Sequence, residues 1–276
     1  MRSRLRALVI VLILAVVLYP LVWMVGTAFK GPAEIVNNIG LIPHDFTPGN
    51  FSVGWHKFQV DFGRFFVNSA LVAVLVVLGN TISCLLAAFA LGRLKFRLRG
   101  LWFGLMIGTL LLPGHVLIIP QYILFRSLHL VGGSFPYLPL VVPSFLGTEA
   151  FFVFLMVQFM RGIPRELDEA AVIDGASPYR IFRHVILPLS RPALVTTAIF
   201  SFIWTWNDFF RQLVYLSDLP SYTAPVALTL FIDSTSESAV GPMFAMSLLS
   251  LIPVFLFFVA FQRLLVEGIN TSGLKG

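Results

Sequence analysis

The chain has 276 residues and a formal net charge of +6, with 58% hydrophobic and only 12% charged residues. Soluble domains usually contain about 25% charged residues, so these charges are too few to cover a soluble globule of this size. The high hydrophobicity also excludes intrinsic disorder, which requires low hydrophobicity. We therefore expect an all-α integral membrane protein that is solvated mainly by lipid.

The first candidate helix follows the basic segment 1–6, which resembles the start of a signal peptide. Its apolar stretch exceeds 20 residues and no clear A-x-A cleavage site follows, which favours an uncleaved membrane span. Crossing a bilayer takes about 20 mainly apolar residues. Six stretches meet this requirement and predict six transmembrane helices, at 7–29, 65–92, 101–125, about 135–160, about 192–213 and about 240–262.

The basic residues predict the orientation of these spans. With a cytoplasmic N-terminus, 14 of the 19 Lys and Arg residues fall in cytoplasmic segments and five fall outside. Because Lys and Arg collect in cytoplasmic loops, we expect both termini in the cytoplasm. The positive charge therefore reports topology, and no basic stretch interleaved with stacking aromatic residues indicates a nucleic-acid partner.

Prolines interrupt two of the predicted spans. Pro113 and Pro120 lie in the third, and Pro136, Pro139 and Pro143 crowd the start of the fourth. Each proline removes a backbone donor, and broken backbone at membrane depth is tolerated only within protein or beside a wet cavity. These breaks fit a pathway lining or a purely architectural role equally well.

The loop 161–191, predicted to be cytoplasmic, reads as two short helices around a tight turn. Pro164 suits the first helical position, and Gly175 suits a helix stop with positive φ. Ser177 fits an N-cap before the second helix, and Pro188 is expected to end that helix. Three acidic residues complement the positive end of the first helix: Glu166, Asp168 and Glu169.

One face of the first loop helix is made mostly of small side chains. Leu167, Ala170, Ala171 and Asp174 follow the i, i+3, i+4, i+7 spacing of one helical face. Such a face lets another protein surface approach closely, whereas a simple surface connector does not need it.

The sequence Glu169-Ala170-Ala171, followed by Gly175 and by Leu187-Pro188, resembles the EAA loop of ABC importer permeases. The similarity is to the MalG-like, carbohydrate-uptake class of these permeases, which are binding-protein-dependent inner membrane components. It covers nearly the whole chain, through Ala28-Phe29-Lys30 and the segments 66–69, 87–96, 113–114, 119–120, 128–130 and 261–276.

This resemblance implies a MetI-like permease fold, formed by a single transmembrane domain over residues 1–276 in a bacterial plasma membrane. It also implies a second, homologous permease subunit, two ATPase subunits and an extracytoplasmic substrate-binding protein. Because the chain lacks the motif G-x-x-x-x-G-K-[ST], we expect no cofactor in it and expect ATP and Mg to bind the ATPase subunits. The loops 30–64 and 217–241 would contact the binding protein.

By the same resemblance, the loop 161–191 is the coupling helix that docks on an ATPase. Glu169 would pair with a basic residue of the ATPase, and Ala170 and Ala171 would pack against its surface. Gly175 would permit the bend between the two helices. Asp174 and Pro188 complete the predicted coupling residues.

Ionisable groups at membrane depth are costly, which makes Glu149 and Asp208 candidates for the substrate path. The neighbouring Trp204, Trp206 and Asn207 add aromatic rings and an amide, which suit sugar rings and hydroxyls. Gln121 is a further candidate. The alternative is that the tryptophans pack locally and that Gln121, like Asn68 and Asn80, forms hydrogen bonds between helices.

Relatives often continue with Trp-Pro where this chain has Arg211-Gln212, which alters the outer gate or adds an Asp208–Arg211 pair.

The sequence therefore predicts a permease subunit of a bacterial ABC importer for a sugar or sugar-like solute. An importer of glycerol-phosphate or an amino sugar remains an alternative within this class. An ion-coupled secondary transporter, which needs no ATPase, is the alternative from another class. No nucleophile–base constellation, paired carboxylates or metal-ligand spacing is found, so we expect no catalytic site and no metal site.

Overall fold

The computed structural model describes residues 2–233 and 239–273, with side chains described for residues 4–232 and 239–262. Throughout these residues the regular elements are helical, as predicted. The helices are α1 (Arg2–Ala28), α2 (Pro32–Asn37), α3 (Gly49–Trp55), α4 (Phe62–Gly92), α5 (Arg99–Thr109), α6 (Gly114–Ser127), α7 (Leu138–Val141), α8 (Ala150–Arg161), α9 (Glu166–Ile173), α10 (Pro178–Ile181), α11 (Leu187–Leu189), α12 (Arg191–Asn207), α13 (Phe210–Tyr215), α14 (Ala224–Asp233) and α15 (Val240–Gly273). Two 3-10 turns lie at Val142–Leu146 and Leu219–Ser221, and a π-helical turn lies at Phe182–Ile186.

Four helical segments in the described residues are long and apolar enough to cross a membrane by themselves: Arg4–Ala28, Phe62–Gly92, Leu138–Arg161 and Val240–Gln262. Two bent pairs pass the same test, namely α5 with α6 at 105° and Pro178–Leu189 with α12 at 71°. If each bent pair is one span, the number is six. The predicted all-α membrane fold is confirmed, whereas the placement of the termini and the single domain stay predictions.

The predicted third span is not one helix. Its two halves, α5 and α6, meet at Pro113, whose backbone is extended. Proline donates no backbone hydrogen bond and disfavours helical geometry in the residue before it, which explains the break. Pro120 does not interrupt the chain in the same way, because it lies inside α6.

The fourth and fifth predicted spans are broken beside their acidic residues. Gly147 adopts a φ of +66°, and Glu149 precedes the first residue of α8 with non-helical backbone. Asp208 follows the last residue of α12 and is extended, and α13 begins at Phe210. Both carboxylates therefore lie at breaks in helices and not in helix interiors.

The chain forms two compact units, residues 1–68 with 218–255 and residues 69–217 with 256–276. The first has an aromatic core that includes Phe62, Phe65 and Phe231. Within it the side-chain amide of Asn68 donates to the carbonyls of Pro220 and Tyr222, at 2.9 and 2.8 Å, which supports the hydrogen-bonding interpretation of this residue.

The second unit has a core in which the end of α4 packs against α8 and against the second half of the predicted coupling loop. Its fully buried side chains include Cys84, Met156, Met160 and Ile186. This packing places the loop 161–191 on a rigid base. Residues 274–276 of the predicted tail motif and residues 234–238 of the predicted external loop lie outside the described residues.

Candidate functional site

The helix α9 begins the predicted coupling loop, with Glu166, Asp168 and Glu169 in its first turn as expected. The predicted start at Pro164 is wrong, because Arg165 is the N-cap and the helix begins at Glu166. A start at Pro164 would need the carbonyl of Ile163 for the first helical bond. That carbonyl accepts a hydrogen bond from the Arg93 guanidinium at 2.8 Å, and the N–H groups of Asp168 and Glu169 bond to the carbonyl of Arg165.

The turn after α9 has the geometry that the sequence predicts. Gly175 has a φ of +76°, a conformation that costs residues with a Cβ atom energy. The N–H groups of Gly175 and Ala176 donate to the carbonyls of Val172 and Ala171, both at 2.9 Å, which closes the helix in a Schellman motif. The hydroxyl of Ser177 then accepts from the N–H of Arg180 and caps α10.

The prediction that Pro188 ends the second loop helix is wrong. The N–H of Leu187 bonds to the carbonyl of Phe182, which makes a π-helical turn, and the helix continues to Leu189. A proline ring collides with the carbonyl four residues before it, here that of His184, and a wider turn relieves this collision. The helix ends two residues after Pro188, at the C-cap Ser190.

The tip of the loop exposes an apolar surface. Ile173 is 85% exposed, and Val172, Tyr179 and Ala170 are also exposed. Of the predicted coupling residues, Glu169, Ala170, Asp174, Gly175 and Pro188 are exposed. Ala171 is half-buried and packs on the core of its unit, so the predicted small-residue face is divided between core and surface.

The sequence did not lead us to expect that Arg93 holds this loop in place. Its side chain is only 4% exposed, and its guanidinium lies 3.0 Å from a carboxylate oxygen of Asp168. The same guanidinium donates to the carbonyls of Met160 and Ile163, at the end of α8. Arg93 therefore fixes the first helix of the loop to the end of the preceding span. The available signal was an arginine placed directly after the apolar residues of α4.

A cavity of about 630 Å³ lies where α6, α8 and α12 meet. Five of the six residues predicted for the substrate path line it: Gln121, Glu149, Trp204, Asn207 and Asp208. Trp206 does not line it, since it is 5% exposed and stacks on Phe202 with ring centroids 5.6 Å apart. Residues two apart on a helix point in different directions, which separates Trp206 from Trp204.

Two carboxylates share one guanidinium at the edge of this cavity. Arg211 Nε lies 2.5 Å from Asp208 Oδ2, and Arg211 Nη1 lies 3.7 Å from Glu149 Oε1. Asp208 also accepts the backbone N–H of Arg211 at 3.2 Å. The structure thus contains the Asp208–Arg211 pair suggested by the sequence, and adds the contact to Glu149. With all three groups ionised, the cluster has one negative charge in excess.

The cavity also offers an aromatic surface and hydrogen-bonding groups. Trp204 is exposed along part of its ring and stacks on Phe152 at 5.0 Å, which holds it in place. The amide of Asn207, which lines the cavity, donates to the carbonyl of Ile203 at 2.8 Å, and its side-chain oxygen is an acceptor. His115 also lines the cavity.

Buried amides support the walls of this region. Asn80 on α4 donates to the hydroxyl of Ser201 on α12 at 2.9 Å, as its interpretation as a residue that joins helices requires. Gln212 donates to the carbonyl of Thr205 at 2.9 Å, across the break between α12 and α13. These bonds satisfy backbone and side-chain groups near the break at Asp208.

Comparisons with known proteins identify the family to which this chain is similar. The sequence model of a family described as "Binding-protein-dependent transport system inner membrane component" matches residues 79–271. The diacetylchitobiose uptake system permease protein DasC of Streptomyces coelicolor is 32% identical over 264 residues, which cover 94% of this chain and 92% of the relative. The trehalose/maltose transport system permease protein MalG of Thermococcus litoralis is 30% identical over 273 residues, which cover 96% and 94%.

A solved structure of a bacterial ABC transporter involved in the import of the acidic polysaccharide alginate has a chain with the same fold. The two chains share 22% sequence identity and a TM-score of 0.82, with 95% of each covered. The fold and the relationship to sugar ABC transporter permeases, both predicted from the loop motif, are therefore confirmed.

Proposed function

Because the chain belongs to the family of binding-protein-dependent transport system inner membrane components, we propose that it is a permease subunit of an ABC importer for a sugar or sugar-like oligosaccharide. It would move the solute into the cytoplasm without chemical change. Hydrolysis of ATP, with its Mg ion, would take place on partner ATPase subunits.

The ordered geometry of the loop 161–191 is the main observation that supports this proposal. Its first helix is fixed by Arg93 at one end and closed by Gly175 at the other, so that the exposed surface between them is rigid. That surface combines the apolar side chains of Val172 and Ile173 with the carboxylate of Glu169. An apolar face flanked by charge is suited to docking in a groove on another protein.

The cavity supports a sugar as the solute. Sugars stack their apolar faces on aromatic rings, and their hydroxyl groups bind amides and carboxylates. Trp204, Asn207 and Glu149 offer these groups around one cavity of about 630 Å³. The relatives DasC and MalG, named for diacetylchitobiose and for trehalose and maltose, support a carbohydrate substrate.

The proposed assembly also contains a second, homologous permease subunit and an external substrate-binding protein. A solved bacterial alginate ABC transporter in complex with a periplasmic protein bound to alginate pentasaccharide supports the presence of the binding protein. In such an assembly, ATP would bias the ATPase pair toward one state, and the docked loop would bias the permease toward the matching state.

The experiment reconstitutes this chain in liposomes with its partner subunits and binding protein, and measures uptake of a labelled oligosaccharide with and without ATP. Ile173→Asp places a charge on the exposed apolar tip of α9 and is expected to abolish ATPase binding and ATP-driven uptake. Ile173→Val is the matched control, since it keeps an apolar side chain at the same exposed position.

Uptake driven by an ion gradient in the absence of the ATPase subunits would contradict the proposal and favour a secondary transporter. Equal uptake by the Ile173→Asp and Ile173→Val variants would show that the loop does not dock on the ATPase.

A further inference from the structure

The segment that follows α1 turns back and runs along the end of that helix. The indole N–H of Trp23 donates to the carbonyl of Ile39 at 3.3 Å. A Cβ atom added at Gly26 would lie 1.9 Å from the carbonyl oxygen of Leu41, so only glycine permits this approach. Residues 39–41 therefore lie beside the helical turn 23–26, and not beyond the end of the helix.

Three consecutive carbonyls of this segment are each satisfied by a side chain from the end of α1. Lys30 Nζ donates to the carbonyls of Asn38, at 2.9 Å, and of Gly40, and Trp23 satisfies the carbonyl between them. The Lys30 side chain is almost completely buried, with 1% of the residue exposed. A loop in water has no need of such partners, because water itself satisfies its carbonyls. Irregular backbone in contact with lipid does need them.

The apolar side chains of the same segment point away from the protein. Ile39 is 78% exposed and Ile42 is 79% exposed, and Val36 is also exposed, whereas the exposed ring of Phe46 stacks on Phe29. The polar side chain of Glu34 is turned inward, where its Oε1 accepts the backbone N–H of His44 at 2.7 Å. The segment thus has satisfied polar groups on its inner side and an apolar outer surface around Ile39 and Ile42, and the polar residues His44 and Asp45 are exposed at its end.

The length of α1 indicates how deep Ile39 and Ile42 lie in the membrane. The helix has 27 residues and is about 40 Å long, which exceeds the roughly 30 Å of the hydrocarbon core. Trp23 lies five residues before Ala28, about 7.5 Å along the axis, and each interfacial region is roughly 5–8 Å thick. Trp23 and Ile39 therefore lie near the boundary between headgroups and acyl chains, where tryptophan is favoured.

We infer that residues 36–43 form an interfacial anchor, in which Ile39 and Ile42 insert into the lipid leaflet that surrounds the end of α1. The apolar surface of the anchor continues the exposed surface of α1 at Val22 and Val25, which faces lipid in a membrane-spanning helix. This continuity identifies the occupant as acyl chains. The Lys30 ammonium maintains the anchor, because it satisfies the carbonyls that the lipid cannot.

The test uses the complete transporter in lipid nanodiscs, with Cys84 replaced by serine and single cysteines at positions 39, 42 and 45. Each cysteine carries a fluorescent label that doxyl groups on lipids quench from the membrane and that iodide quenches from water. Labels at Ile39 and Ile42 are expected to be quenched by shallow doxyl lipids at least about threefold more than the label at Asp45, with the reverse order for iodide.

Quenching by iodide as strong as at Asp45 would place the segment in water and overturn the inference. Protection from both quenchers would also overturn it, because a second permease subunit or the binding protein would then cover the isoleucines. A second variant, Lys30→Met, is expected to raise iodide quenching at Ile39 toward the Asp45 level. Lys57→Met is the control with the same change in a neighbouring loop, and is expected to leave the quenching unchanged.

Discussion

The guanidinium of Arg93 lies 3.0 Å from the carboxylate of Asp168, and this ion pair joins the end of α4 to the first turn of α9. The same guanidinium donates to the carbonyls of Met160 and Ile163. The buried side chain of Arg93 thus contacts Asp168, Met160 and Ile163, which lie around the base of the predicted coupling loop. The loop can transmit force to the membrane helices only if this base remains ordered.

We predict that Arg93→Met disorders the base of the loop and that Asp168→Asn has a smaller effect. Removing one partner of a buried ion pair typically costs about 3–5 kcal/mol. In the Asp168→Asn variant, Arg93 keeps its two carbonyl acceptors. Amide hydrogen exchange over residues 161–190 and ATP-driven uptake measure the two effects.

Glu166→Gln is the control for this comparison, since Glu166 is an exposed acid in the same first turn. The role assigned to Arg93 is wrong if hydrogen exchange in the Arg93→Met variant matches that in the Glu166→Gln variant. The double variant Arg93→Met/Asp168→Asn is expected to cost less than the sum of the single variants, because the two residues share one interaction.

The sequence predicts well those features that neighbouring residues determine. Gly175 and Ser177 are recognisable because a helix stop and an N-cap each depend on a few adjacent residues. The apolar stretches predict the spans for the same reason. The Asp208–Arg211 pair is also local, since the two residues lie three apart.

Contacts between distant residues are the features that the sequence alone does not predict. Arg93 and Asp168 are 75 residues apart, and Asn80 and Ser201 are 121 apart. The 105° bend between α5 and α6 also depends on packing, because proline locates a break but does not fix its angle. Trp206 lies two residues after Trp204, so the two side chains point in different directions on a helix. This separation could be stated only once the limits of α12 were known.

We predict that Gly175→Ala weakens coupling through backbone strain and not through crowding. A Cβ atom at Gly175 would meet no atom within 4 Å, whereas its φ of +76° costs a residue with a Cβ atom about 1–2 kcal/mol. Gly175→Asn is expected to cost less, since asparagine tolerates this conformation better. Hydrogen exchange in α9 and ATP-driven uptake report the effect.

Gly104→Ala in α5 is the matched control for Gly175→Ala. A Cβ atom there also meets no atom within 4 Å, but the residue is helical, so the change is expected to be neutral or to stabilise by up to about 1 kcal/mol. Equal effects of Gly175→Ala, Gly175→Asn and Gly104→Ala would exclude backbone strain as the reason for a glycine at position 175.

We predict that Arg211→Met reduces ATP-driven uptake by roughly tenfold or more. The variant leaves Glu149 and Asp208 at the cavity edge without their shared cation, and a hydrogen bond to a charged group contributes about 1.5–3 kcal/mol.

The double variant Asp208→Asn/Arg211→Met removes the unpaired charge of Asp208 together with the cation, and is expected to recover part of the uptake. Arg126→Met, at an exposed arginine of α6, is the control. Uptake by Arg211→Met equal to that of the control would contradict the prediction.

We predict that acid loosens the interfacial anchor through Glu34. Chiefly because the carboxylate accepts the backbone N–H of His44, the pKa of Glu34 is lowered from 4.5 to about 2. A carboxylate with a lowered pKa stabilises the folded loop fully above pH 4.5, and this contribution is lost as the pH falls from 4.5 toward 2. Iodide quenching of the label at Ile39 is therefore expected to rise over this interval.

Glu34→Gln cannot ionise and should give high, pH-independent quenching, whereas Asp61→Gln in the loop before α4 should keep the pH dependence. A Glu34→Gln variant with the same acid-induced rise as the unchanged chain would assign the effect to another group.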